Sequence, residues 1–169
     1  MSFALPAQDE HDPHPIMRRL IDTAHQFETL RIAEADIMIV MRLEPKLKAG
    51  RHILGTMALP GFQGANNQFG LWLLEQFHGS MPHFVMTLDN EWWRLANALE
   101  REALIFHELM HCEQARDKEG ELRFDDMGLP VWAIRGHDLE EFNDVVERYG
   151  LWKSDIRDFL AAAERGRNV

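Results

Sequence analysis

A single cysteine, Cys112, rules out an internal disulfide in this chain and fits a reducing compartment. No apolar run approaches the ~20 residues that a membrane-spanning helix requires. The N-terminal Met-Ser-Phe-Ala-Leu-Pro-Ala-Gln-Asp-Glu lacks the basic start and apolar core of a secretory signal. The expectation is a cytoplasmic protein with no membrane partner. Basic residues are in the minority, 18 Lys and Arg against 28 Asp and Glu, for a net charge of −10. Like charge opposes the phosphate attraction behind most nucleic-acid affinity, so direct nucleic-acid binding is not expected. With 169 residues, 46% hydrophobic and 27% charged, the chain has material for one ordinary globular domain.

Residues 1–14 contain Pro6, Pro13 and several charges without a period, and read as a flexible arm ahead of a domain at 15–169. His11 and His14 lie in that arm and read as exposed side chains. From Ile16 to about Ala33, Ile16, Leu20, Ile21, Ala24, Phe27 and Leu30 recur at helical spacing and predict an amphipathic helix, with His25 at its surface. Asp36–Arg42 and His52–Leu59 read as two strands joined by a turn. Arg42, Lys46, Lys48 and Arg51 make that connection basic, and Pro45 and Gly50 mark it as a solvated hairpin loop. Phe69–Phe77 is ambiguous between helix and strand. His83–Leu88 predicts a third strand, with Asp89 or Asn90 as the N-cap of the helix that follows.

That helix carries the informative stretch. Glu91–Leu104 has no Gly or Pro, and it continues into Ile105-Phe106-His107-Glu108-Leu109-Met110-His111, a single H-E-x-x-H. Trp92, Leu95, Leu99, Phe106 and Met110 fall near one stripe suited to a core. On a helix, His107 and His111 are one turn apart, so both imidazoles can reach one metal ion while Glu108 stands beside it. This is the arrangement of zinc hydrolases. Cys112 points about 100° away from His111 and reads as a buried small apolar residue rather than a ligand.

Catalytic zinc takes three protein ligands, so one more must come from elsewhere. Val131–Arg135 reads as a short strand. Asp138 with Glu141 forms a capping-box pattern that starts a helix running to about Arg148, stopped by Gly150. His137, at the mouth of that helix after Gly136, is the preferred third ligand; Glu140 or Glu141 is the alternative. His52, His78 and His83 flank the strands and are not favoured. The fold class expected is α+β: an N-terminal helix, a small, mostly antiparallel sheet of three to four strands, a long motif-bearing helix and a C-terminal helix.

Three strands, the helix with His107-Glu108-Leu109-Met110-His111, then Gly136-His137-Asp138-Leu139-Glu140-Glu141-Phe142 and Arg148-Tyr149-Gly150-Leu151-Trp152, resemble the putative phage metallopeptidase family of zincin-like proteins. The resemblance runs from about Ile16 to Trp152. A looser likeness is to SprT and Spartan peptidases, which place a third histidine well after the helix. The first resemblance implies a compact zincin encoded by a phage or prophage, acting in a host cytoplasm on a protein or peptide substrate. With one zinc ion on His107, His111 and His137, Glu108 would act as general base for water attack on a peptide bond. Tyr149, the only tyrosine, reads as a packing residue, with oxyanion stabilisation as the alternative. Asp138 or Glu141 could orient a ligating imidazole, although capping already accounts for both. Two other classes stay open: a zinc-binding interaction module with a structural or vestigial site, and a metal hydrolase of a non-peptide substrate. The intact Glu108 counts against the first, and histidines at mononuclear spacing count against the second.

Overall fold

The computed structural model describes residues 2–139 and 143–166, and the chain divides into two compact units, Met1–Arg135 and Gly136–Val169. The architecture is α+β. Strand β1 (Phe3–Ala4) pairs antiparallel with the end of β2 (Ile37–Arg42). Pro13 is buried, and the Trp93 indole N–H donates to the carbonyl of His11 at 2.6 Å. The stretch read as a loose arm therefore carries a strand and an anchor; a two-residue strand is too short to display a period.

Helix α1 (His14–Thr23) buries Met17 and Leu20. The predicted helix to Ala33 is in fact three pieces: α1, a 3-10 turn at His25–Phe27 and α2 (Glu28–Ile32). Thr23 Oγ1 donates to the Arg19 carbonyl at 2.7 Å, a side-chain bond that competes with the helical ladder, and Ala24 then turns extended at ψ 128°. Phe27 and Leu30 still reach the core, as the periodicity predicts.

The sheet is where the prediction needs most correction. Strands β3 (Leu47–Lys48) and β4 (Arg51–His52) form their own small hairpin, turned by Ala49 and Gly50 at φ +50° and +76°. Positive φ at both central residues is what a tight hairpin turn of this twist requires. Strand β5 (Gly55–Ala58) does not pair with β2. Helix α3 (Asn67–His78) resolves the ambiguous segment as helix, and β6 (Phe84–Asp89) then inserts between the two. The order is β1-β2-β6-β5, with β2 parallel to β6 and the other two pairings antiparallel. β2 and β6 are apolar on both sides because both lie inside the sheet, the usual reading for buried strands. Their parallel register places Arg42 opposite Asp89, so Arg42 is a buried residue and not part of a basic surface; Lys46, Lys48 and Arg51 are exposed as predicted.

The long helix of the sequence reading is also two. Helix α4 (Asn90–Leu95) is capped by Asp89, whose side chain accepts from Trp92 N, and it ends where Ala96 turns extended. Helix α5 (Ala98–Met110) starts afresh with a capping box: Asn97 Oδ1 accepts from Glu100 N at 3.0 Å, and Glu100 Oε2 from Asn97 N at 2.8 Å. The break resets the helical phase. Leu95 and Leu99, read as core, are exposed, while Trp93, Ile105 and Leu109 are buried with Phe84, Met86 and Leu88. Beyond α5, β7 (Cys112–Gln114) pairs antiparallel with β8 (Trp132–Ile134), which matches the short strand read at Val131–Arg135.

In the second unit, α6 (Asn143–Tyr149) ends at Gly150, whose φ is +68° and whose N–H donates to the Val146 carbonyl at 2.8 Å. Helix α7 (Ser154–Gly166) follows and buries Ile156. Glu140, Glu141 and Phe142, and with them the proposed capping box, lie outside the described residues.

Candidate metal centre

The capping box at Asn97 fixes where α5 begins, and Ile105 and Leu109, both fully buried, fix its rotation against the sheet. Phe106 meets the edge of Phe27 with ring centroids 4.9 Å apart, and Arg19 Nη2 pairs with Glu102 Oε2 at 2.8 Å, so α5 is also held to the N-terminal helices. With that rotation set, His107 is exposed, His111 half-buried and Glu108 turned inward.

His107 and His111 stand as their one-turn spacing predicts, with ring centroids 5.1 Å apart and planes at 85°. His111 is the C-cap of α5, and its Nδ1 lies 2.7 Å from the Arg135 carbonyl. A carbonyl can only accept, so Nδ1 carries the proton and Nε2 keeps the lone pair that a metal would take. Orientation of a ligating imidazole by a backbone carbonyl is the usual support for a metal histidine. The backbone closes the same link in reverse, Arg135 N donating to the His111 carbonyl at 2.8 Å.

Glu108 is 2% exposed, and its Oε2 has no hydrogen-bond partner among the described residues. Burial pushes its carboxyl from an ordinary value of 4.5 up to about 7. An acid in that range can take up and release a proton near neutral pH. Oε1 faces Gly55: a Cβ placed on that residue would sit 2.4 Å from it. The carboxylate thus occupies the space that any other residue at 55 would fill.

Arg42, read as part of a basic loop, and Asp89, read as an N-cap, also hold this strand in place, a role the sequence reading does not assign to either. Asp89 N donates to the Leu54 carbonyl at 2.7 Å, and Arg42 Nη2 donates to the Ile53 carbonyl. The two side chains pair at 3.3 Å, both buried. Burial favours a protonated Asp89, but bonds from the Trp92 backbone, His52 and Arg42 outweigh it and hold the carboxyl below its usual range. Arg42 and Asp89 end two apolar runs of equal length, Ile-Met-Ile-Val-Met-Arg and Phe-Val-Met-Thr-Leu-Asp. Opposite charges at matching ends of neighbouring strands were the available signal.

Four other histidines are engaged elsewhere. His52 Nε2 lies 3.0 Å from Asp89 Oδ2, His78 Nε2 2.7 Å from Asp36 Oδ1, and His14 Nδ1 2.6 Å from Asp12. His83 Nδ1 accepts the Asp36 N–H at 2.8 Å. Cys112 is half-buried, and burial together with the Glu108 charge pushes its thiol up to about 12. Tyr149 ends α6 and is exposed, with the Arg148 guanidinium 5.5 Å from its ring centroid; the packing role expected of it is absent.

His107, His111 and His137 make up a donor set of three imidazoles that could hold a metal ion. His137 itself is an exposed residue at the start of the second unit. Three imidazoles, with the Glu108 carboxylate next to His107 in sequence, are a donor set suited to a metal ion. The model of the family described as putative phage metallopeptidase matches residues 7–164, and the chain belongs to that family. No curated protein and no solved structure matches it. The match spans both units and implies a peptidase that uses a metal ion and acts on protein. Among the described residues, no helix is long and apolar enough to cross a membrane.

Proposed function

We propose that the protein is a zinc metalloendopeptidase of the zincin type, in which His107, His111 and His137 hold one zinc ion per chain and Glu108 is the general base. The observation that carries this reading is Glu108: a buried carboxyl raised to about 7, with one unpaired oxygen, next in sequence to one of two imidazoles a turn apart. A structural metal site needs no such base.

The chain path supports His137 as the third ligand. Arg135 is bonded to His111 through both its backbone groups, and His137 follows two residues later, within ~7 Å of Arg135 along the chain. Glu140 and Glu141, the other candidates, lie outside the described residues.

His107, His111 and His137 would hold a zinc ion whose Lewis acidity would lower the pKa of a water toward ~7 and polarise the scissile carbonyl. Glu108 takes the proton of the attacking water at Oε2 as the new C–O bond forms. It then hands that proton to the departing amide nitrogen as the C–N bond breaks, and returns to its starting state. Gly55 leaves the carboxylate its space, and the Arg135 carbonyl keeps the His111 ring in the ligating tautomer. A family member with these features and a single cysteine would work in the cytoplasm of a phage host.

The test is hydrolysis of a dye-labelled unfolded protein by the zinc-reconstituted enzyme, with and without chelator. Glu108→Gln should keep one zinc per chain and lose on the order of 10²-fold or more in rate. Cleavage that survives chelation, or a Glu108→Gln enzyme as fast as the parent, would overturn the assignment.

A further inference from the structure

Between His52 and Asp89 the chain carries one formally charged side chain, Glu75, although 27% of the whole sequence is charged. The helix in that stretch, α3, buries only Gly70, which is packed against the Phe62 ring. Its exposed residues are Gln68, Phe69, Trp72, Glu75, Gln76 and Phe77; the apolar ones, with the half-buried Leu73, fall within about 140° of one another at helical spacing, and Gln76 is the polar residue inside that stripe. Phe62, Phe69, Trp72 and Phe77 are 48%, 60%, 51% and 70% exposed, and Phe69 stacks on Trp72 with centroids 5.8 Å apart. An amphipathic surface helix normally turns such a stripe inward.

We propose that this face of α3 is the interface with a second copy of the same chain, the two helices packing across a two-fold axis. The area is the first argument. The four aromatic side chains alone leave roughly 450 Å² exposed, at ~200 Å² for a whole side chain. That is more than half of the ~800 Å² per partner of a stable complex, and Leu59 and Met81, next to the segment in sequence, are exposed too.

Charge is the second argument. A face without Lys or Arg has nothing to offer an anionic membrane or a nucleic acid, whose recognition rests on those residues. Nor does it offer a pattern for a charged protein partner to complement. A second copy needs none, and Glu75, outside the aromatic stripe, is the one acidic residue that α3 contributes to the net charge of −10.

Symmetry is the third. A two-fold interface must complement itself, and the polar group within this stripe, the Gln76 amide, carries both donor and acceptor and can pair with its own copy.

Sedimentation of the full-length, zinc-loaded protein at ~1–100 µM, a range that brackets ordinary homodimer affinities, tests this. The expected mass is twice 19.7 kDa at the upper concentrations. Trp72→Glu and Phe77→Glu should return it to a single copy with the far-ultraviolet spectrum unchanged. Leu99→Glu, an exposed apolar site on α5, should leave the dimer intact. Should the glutamate variants not fold, Leu73→Cys under mild oxidation decides, since the residue near the axis should cross-link to itself. A parent protein that stays monomeric, a dimer that survives both glutamates, or a Leu73→Cys protein that does not cross-link would each overturn the proposal. So would a monomer whose Trp72 fluorescence responds to unfolded polypeptide, which would make the face a substrate surface.

Discussion

Glu108 gives the most quantitative handle on the site. In the metal-stripped protein its carboxyl ionises at about 7 in the folded state, against 4.5 for an ordinary glutamate, because burial penalises the charged form. The folded state therefore holds this proton more tightly than the unfolded state. The group's contribution to stability is full below about pH 4.5, falls as pH rises through the window to about 7, and is gone above it. A difference of this size corresponds to about 3 kcal/mol, at 1.36 kcal/mol per unit. Urea unfolding followed by tryptophan fluorescence, in chelator at a series of pH values from 5 to 8 (roughly the window set by the two ionisations), measures it. The parallel series on Glu108→Gln removes the titration while keeping the shape of the side chain. Subtracting the two curves cancels the histidines that titrate in both proteins. The parent should lose about 3 kcal/mol relative to the variant across the window. Curves that run parallel would mean that Glu108 is solvated in the folded protein, and its role as a base poised near neutral pH would lose its physical basis.

The ligand set makes a second prediction: His107→Ala, His111→Ala and His137→Ala should each reduce zinc from about one per chain to well below it, measured by elemental analysis after dialysis. Retention by His137→Ala alone would remove that residue from the set and leave the other two. Gly55→Ala should cost about 1–3 kcal/mol in thermal unfolding, because its Cβ would sit 2.4 Å from Glu108 Oε1; the same substitution in a Glu108→Ala background should cost little. Asn97→Ala should cost about 1 kcal/mol through loss of the α5 cap, with zinc content unchanged.

What could be read directly from the sequence was local. His107, Glu108 and His111 are spaced by one helical turn, and the structure leaves that spacing intact. β2, β6 and β8 are apolar runs bounded by turn formers, and their positions follow from composition. The break between α4 and α5 was also written locally, in Asn97 with Glu100 three residues on. A stretch without Gly or Pro reads as one continuous helix all the same, and carrying its phase through places Leu95 and Leu99 on the core side. Other features depend on partners far along the chain. Nothing near β5 says that it pairs with β6 rather than β2, since either partner would satisfy its hydrogen bonds. The burial of Glu108 and the closeness of Gly55 arise only once that pairing is made. Arg42 looked solvated beside Lys46 and Lys48 because its partner, Asp89, is on another strand.

The strand order also bears on how the protein is made. β2 and β5 are synthesised first, yet neither pairs with the other; both wait for β6, which supplies hydrogen bonds to each on opposite edges. Until residues 84–89 leave the ribosome, the nearly uncharged stretch with Phe62, Phe69, Trp72 and Phe77 hangs between two unsatisfied strands. Non-local pairing of this kind folds slowly and leaves sticky surface exposed meanwhile. A fragment that stops short of β6 would have only the two-residue pairings of β1 with β2 and of β3 with β4, so chaperone demand during synthesis should be set by the arrival of that one strand.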